Sequence, residues 1–149
     1  MNIKASAMNT SLFHLLETDA APSAVQAVNV RLLKETPLLD FSHPSIASLI
    51  DQRGWRLYAQ EERIKAIYTF VKDEILFGYN SDDDLPASQV LNDGVGQCNT
   101  KATLFMALLR AVEIPCRFHG FTIHKRLQKG AITGIFYLIA PRNILHSWV

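Results

Sequence analysis

The sequence predicts an α+β fold in which helices pack on an antiparallel sheet. Three observations carry that expectation. Apolar residues recur at helical spacing over residues 60–76 and again after Cys98. The later stretches "CRFHGFTIH" and "ILHSWV" are rich in β-branched and aromatic residues or alternate apolar with polar, as half-buried strands do. Helical patterns come first and strand patterns last, the order expected when helices cover one face of an antiparallel sheet.

A length of 149 residues suits one domain with a core that needs no disulfides. Hydrophobic residues make up 48% and charged residues 19%, a folded rather than a disordered composition. Fifteen Lys and Arg stand against fourteen Asp and Glu. That balance gives no electrostatic reason to expect a nucleic acid or an anionic membrane as partner. His124, Lys125 and Arg126 read as a solvated face.

Along the chain, residues 1–22 read as an N-terminal arm and residues 23–149 as the folded domain, with "AAPSAV" around Pro22 as the flexible stretch between them. The arm has one early lysine, Lys4, and its apolar run "LFHLL" is short and interrupted by His14, so no signal peptide is evident. Ser42 and Pro44, followed by Ile46, Leu49 and Ile50, predict a short helix with proline in its first turn, ended by Gly54. Ile64, Ile67, Tyr68, Val71 and Ile75 predict an amphipathic helix over 60–76. "GYNSDDDLP" then breaks the pattern. Its aspartates, Asp82, Asp83 and Asp84, lack the glycine and the late glutamate of a calcium loop, so they are read as a solvated surface loop.

Residues 87–92 predict a helical turn. After Cys98, Ala102, Phe105, Leu108, Leu109 and Val112 share one helical face, with Phe105 and Met106 read as core. Pro115 is expected to stop this helix. A strand over 116–124 follows, then a helical or irregular connection. The run "GIFYLIA" is far too short to span a membrane. "ILHSWV" closes the chain as a strand.

Two cysteines, Cys98 and Cys116, are too few for a secreted disulfide framework, and a cytoplasmic location is the expectation. Cys98 follows Gly94 and Gly96 and opens the strongest helix pattern. A helix N-terminus presents unpaired N–H groups and partial positive charge, which favour thiolate, the nucleophilic form. The same N–H groups could hold an oxyanion, and the glycines leave room for a substrate backbone. Equally, a cysteine there could be a small buried residue without chemistry. A base is required, and the histidines are His14, His43, His119, His124 and His146. His14 and His43 fall in poorly defined segments, whereas His146 shares a strand face with Trp148, whose indole could shield the imidazole. Cys116 and His119 have the spacing of a metal pair, but structural zinc sites use tighter paired motifs, so neither metal nor cofactor is expected.

"GVGQCNTKATLFMALLRAVEIPCR" followed by "HSWV" resembles the transglutaminase-like superfamily of papain-fold cysteine enzymes. Its hallmark is a glycine-flanked cysteine opening a helix that runs into "LLRA-x-x-IP-x-R", then a strand carrying His-x-Trp. The resemblance covers about residues 85–149, and "RIKAIYTFVKDEILFGY" is similar to the preceding helix in bacterial members. It implies Cys98 as nucleophile and His146 as base, with Gly96, Gln97 and Trp148 forming the site wall. The family completes its triad with an Asp or Asn on the strand after the histidine, and here only Ser147, Trp148 and Val149 follow. The expectation is therefore a fragment, or else a naturally shortened inactive relative, whose sheet is incomplete at its C-terminus, weak or inactive alone and marginally stable or self-associating through an exposed edge.

The resemblance implies acyl transfer through a thioester on a protein or peptide substrate, with water as acceptor in a peptidase or amidase and a lysine amine in a cross-linking enzyme. Hydrolysis is favoured because bacterial relatives more often resemble hydrolases. The alternative is a non-catalytic binding or scaffold module that keeps the fold.

Overall fold

The structure, a computed structural model, describes residues 24–128, 134 and 141–149. The predicted arm and residues 135–140 of the apolar run lie outside them. Helix α1 spans Ala24–Leu32 and α2 spans Pro44–Arg53, followed by a 3₁₀ turn at Trp55–Leu57. Proline is the first residue of α2, in the first turn as expected, and His43 caps it, its Nδ1 accepting from the Ser45 N–H at 3.3 Å. Gly54 ends α2 with φ 63°, a left-handed conformation that costs glycine no Cβ clash.

Helix α3 spans Gln60–Asp73, and strand β1 is Leu76–Phe77. The predicted helix to residue 76 thus overshoots. Its last residues leave the helix because β1 pairs in parallel with β2, Val95–Gly96, which follows helix α4, Ala87–Asp93. Two-residue strands carry too little pattern to be read from sequence. The first turn of α4 is capped from a distance, with the Ser88 N–H donating to the Asp40 carboxylate at 3.0 Å.

Helix α5, Cys98–Ala111, is the core. Leu104, Ala107 and Leu108 are fully buried and Met106 and Leu109 nearly so, which places apolar contacts around most of the helix rather than along one stripe. It packs against α2, α3, α4 and the final strand. Pro115 is not what ends it. Glu113 takes φ 63°, and Ile114 N–H reaches back to the Leu109 carbonyl at 2.9 Å, closing the helix ahead of the proline.

Helices α3 and α5 cap each other. Arg63 near the start of α3 donates to the Val112 carbonyl at 3.0 Å, at the end of α5. Lys101 in the first turn of α5 donates to the Ile75 and Lys72 carbonyls at 2.7 and 3.1 Å, at the end of α3. The two helices therefore run antiparallel, and each cation meets the negative end of its neighbour's dipole. Arg110, buried in α5, donates to the Lys34 and Cys116 carbonyls at 2.6 and 3.0 Å and ties the flanking loops to the core.

Strand β3, His119–His124, leads into a 3₁₀ turn at Lys125–Gln128, and β4 is Asn143–Trp148. They pair antiparallel, with Phe121 opposite His146 and His119 opposite Trp148. Among the described residues the antiparallel sheet has these two strands, and β4 lies against α5. The α+β expectation holds, with a small sheet. Among the described residues no helix is long and apolar enough to cross a membrane.

Candidate active site

The chain approaches Cys98 through a confined turn. Gly94 caps α4 with φ 65°, and β2 is then held to β1 by Leu76 N–H to Gly94 O at 2.9 Å and Gly78 N–H to Gly96 O at 3.2 Å. A Cβ on Gly96 would lie 2.9 Å from both Thr100 Oγ1 and Lys101 Cγ. Gln97 is the extended N-cap, with φ −91° and ψ −177°, and Cys98 is the first residue of α5. Thr100, three residues into the turn, accepts the Gln97 N–H on its hydroxyl at 3.1 Å. A half-buried free thiol therefore stands at the end of α5 where the first N–H groups have no partner within the helix.

Gly96 thus shapes the turn by absence of a side chain. Gly96→Ala should destabilise the fold by about 1–3 kcal/mol, because Thr100 is fully buried and hydrogen-bonded and cannot retreat. Gly120→Ala, whose Cβ would meet Leu145 at an ordinary 3.8 Å, should change stability by less than about 0.5 kcal/mol. Urea unfolding of both variants checks the contrast, and equal effects would refute it.

Strand β4 supplies the opposite side. Cys98 and His146 line one cleft of about 440 Å³, together with Tyr68, Phe105, Lys101 and Trp148. Phe105, read from sequence as core, is half-buried and meets Tyr68 edge-on at 6.0 Å, so the pair forms an apolar wall beside the thiol. Burial lowers the pKa of the Lys101 amine, which the neighbouring Asp73 charge partly offsets. The ring that packs on the imidazole is Phe121, edge-on at 5.3 Å. Trp148 instead lies 5.2 Å from His119, so the indole expected to shield His146 belongs to the next cross-strand pair. Both pairs occupy the same face of the sheet.

Gln97 was expected on the site wall. Its side-chain amide is engaged at both ends, donating to Asp83 at 2.6 Å and accepting the Asn80 N–H at 2.9 Å. Asp83 therefore is not merely solvated, as the sequence suggested. The capping spacing from Gln97 to Thr100 was the available signal for an organised turn, but nothing in sequence linked it to the acidic loop. Cys116 sits apart from the cleft, its thiol 3.7 Å from the Met106 carbonyl. Burial raises its pKa, against the pull of the Arg110 guanidinium. Among the described residues no group of three or more His, Cys, Asp or Glu could hold a metal ion.

The arrangement puts a thiol at a helix N-terminus and an imidazole into one apolar-walled cleft, the groups needed for nucleophilic acyl chemistry. A family model described as the transglutaminase-like superfamily matches residues 51–149, from within α2 through β4. No curated protein and no solved structure matches the chain significantly.

Proposed function

The chain belongs to the transglutaminase-like superfamily, and from that premise we propose that it carries out thiol-dependent acyl transfer on peptide or carboxamide bonds. One observation carries the proposal: Cys98 and His146, from elements far apart in sequence, open on the same cleft. In the proposed cycle the Cys98 thiol proton passes to the His146 imidazole as the sulfur bonds to the substrate carbonyl carbon. First-turn N–H groups of α5 hold the resulting oxyanion. On collapse the C–N bond breaks, His146 protonates the departing amine, and a thioester remains on Cys98.

Water then attacks the thioester, giving up its proton to His146, and releases the acid with the thiol restored. Hydrolysis is proposed over transfer to a lysine amine, which would use the same two residues. The Tyr68–Phe105 wall favours an apolar group on the acyl side of the scissile bond, in a protein or peptide substrate.

Acyl-enzyme trapping is the test. The chain is mixed with a p-nitrophenyl ester of a short apolar acid, quenched in acid and mapped by mass spectrometry, with iodoacetamide labelling at mildly acidic pH in parallel. The expected adduct is one acyl group on Cys98, and Cys98 should alkylate ahead of Cys116, whose thiol is held protonated by burial. Labelling of both cysteines at equal rates, with no acyl adduct, would reject the enzyme and leave the scaffold module.

A further inference from the structure

We propose that Asp83, on the loop between β1 and α4, is a positioning residue for Cys98, its carboxylate fixing the residue that immediately precedes the thiol. The proposal rests on the nucleophilic role given to Cys98 above. Gln97, on one side of the cysteine, donates its Nε2 to Asp83 Oδ1 at 2.6 Å. One exposed acid thus bridges its own loop to position 97, immediately before the cysteine.

The bridge is part of a wider anchor. Gln97 Oε1 accepts the Asn80 N–H at 2.9 Å, so its amide cannot rotate without losing a bond at either end. Asn80 Oδ1 in turn accepts from the Thr100 hydroxyl at 2.7 Å, and Asn80 Nδ2 donates to the Val95 carbonyl at 3.1 Å. Gln97 and Thr100 are therefore both tied to the 80–83 loop, while Cys98 between them lines the cleft. The loop holds the turn so that the thiol is presented in one direction, and misplacement of a reacting atom by about 1 Å can lower a rate about a hundredfold.

The side-chain amides of Asn99 and then Gln97 hold the Asp83 carboxyl below its ordinary 3.8, so the acid is ionised whenever the clamp is closed at neutral pH. Its folded pKa being depressed, the clamp is complete above that ordinary value and opens as pH falls through the lowered one. Charge and geometry have opposite signs at the thiol. A negative charge near the sulfur opposes thiolate, whereas the bridge improves its placement, so two substitutions separate them.

Asp83→Ala removes both; Asp83→Asn removes the charge and keeps an acceptor for Gln97. The measurements are amide hydrogen exchange at residues 97–99, the acylation rate of Cys98 by the nitrophenyl ester, and the thermal midpoint. Asp83→Ala should speed exchange at 97–99 and slow acylation about tenfold without shifting the midpoint, and Asp83→Asn should restore most of the rate. Unchanged exchange in Asp83→Ala, or faster acylation in both variants, would overturn the positioning role in favour of none or of charge alone. If the wild-type chain forms no acyl adduct while exchange still rises, the nucleophile itself is wrong. Asp83 is then a structural clamp only, which also overturns the proposal.

Discussion

Cys98→Ala is expected to abolish acyl-enzyme formation and to lower peptide-amide hydrolysis by at least about 10³-fold, with His146→Ala close behind. In the proposed cycle thiol and imidazole share the same proton transfers, so neither should retain much value without the other. The double variant should therefore be about as slow as Cys98→Ala alone rather than showing the product of the two losses. Cys116→Ala provides the control. Its thiol contacts the Met106 carbonyl outside the cleft, and kcat/KM should stay within about twofold of wild type. Steady-state kinetics on a short apolar peptide amide, with folding checked by circular dichroism, decides the matter. A His146→Ala enzyme of wild-type rate, or losses that multiply, would show that the two residues do not form a catalytic unit.

Leu108→Ala should be the most damaging of simple core truncations, at about 3–5 kcal/mol. Leu108 has no solvent exposure and sits in α5, which α2, α3, α4 and β4 enclose, so a void there has few ways to collapse. Against a total stability of about 5–15 kcal/mol, that is a large share. The melting point should fall by roughly 6–20 °C. Leu57→Ala removes the same atoms from a side chain that is 89% exposed and should cost less than about 0.5 kcal/mol. Denaturant unfolding monitored at Trp55, itself buried against Phe70, reports both variants. Similar losses at positions 57 and 108 would contradict the central place of α5. Because Cys98 begins that same helix, a loosened α5 should also lose acylation at temperatures below its melting point.

Much of this was legible in the sequence. The helical recurrence of Ile64, Ile67 and Val71 located α3, and Ile46, Ile50 and Gly54 located α2 with its end. The pattern after Cys98 put the cysteine at the first residue of α5, and alternation in "ILHSWV" located β4 with His146 on it. These are properties of neighbouring residues. Periodicity says which side of an element is apolar, and glycine or proline says where the backbone can turn, so both survive without knowledge of the rest of the fold.

Only the tertiary structure decided which partners those elements meet. Phe121 rather than Trp148 packs on His146 because cross-strand register, not spacing along β4, sets the contact. Phe105 became a cleft wall because Tyr68 of α3 faces it. The β1–β2 pair joins residues 19 positions apart through two-residue strands, too short to carry a period. Arg63 caps α5 across 49 positions and Lys101 caps α3 across 26, each donating to carbonyls that every residue possesses. The grip of Asp83 on Gln97 has the same character. A carboxylate in an acidic loop looks solvated until the chain brings an amide to it, because a hydrogen bond is specified by two positions in space and only one of them is written locally.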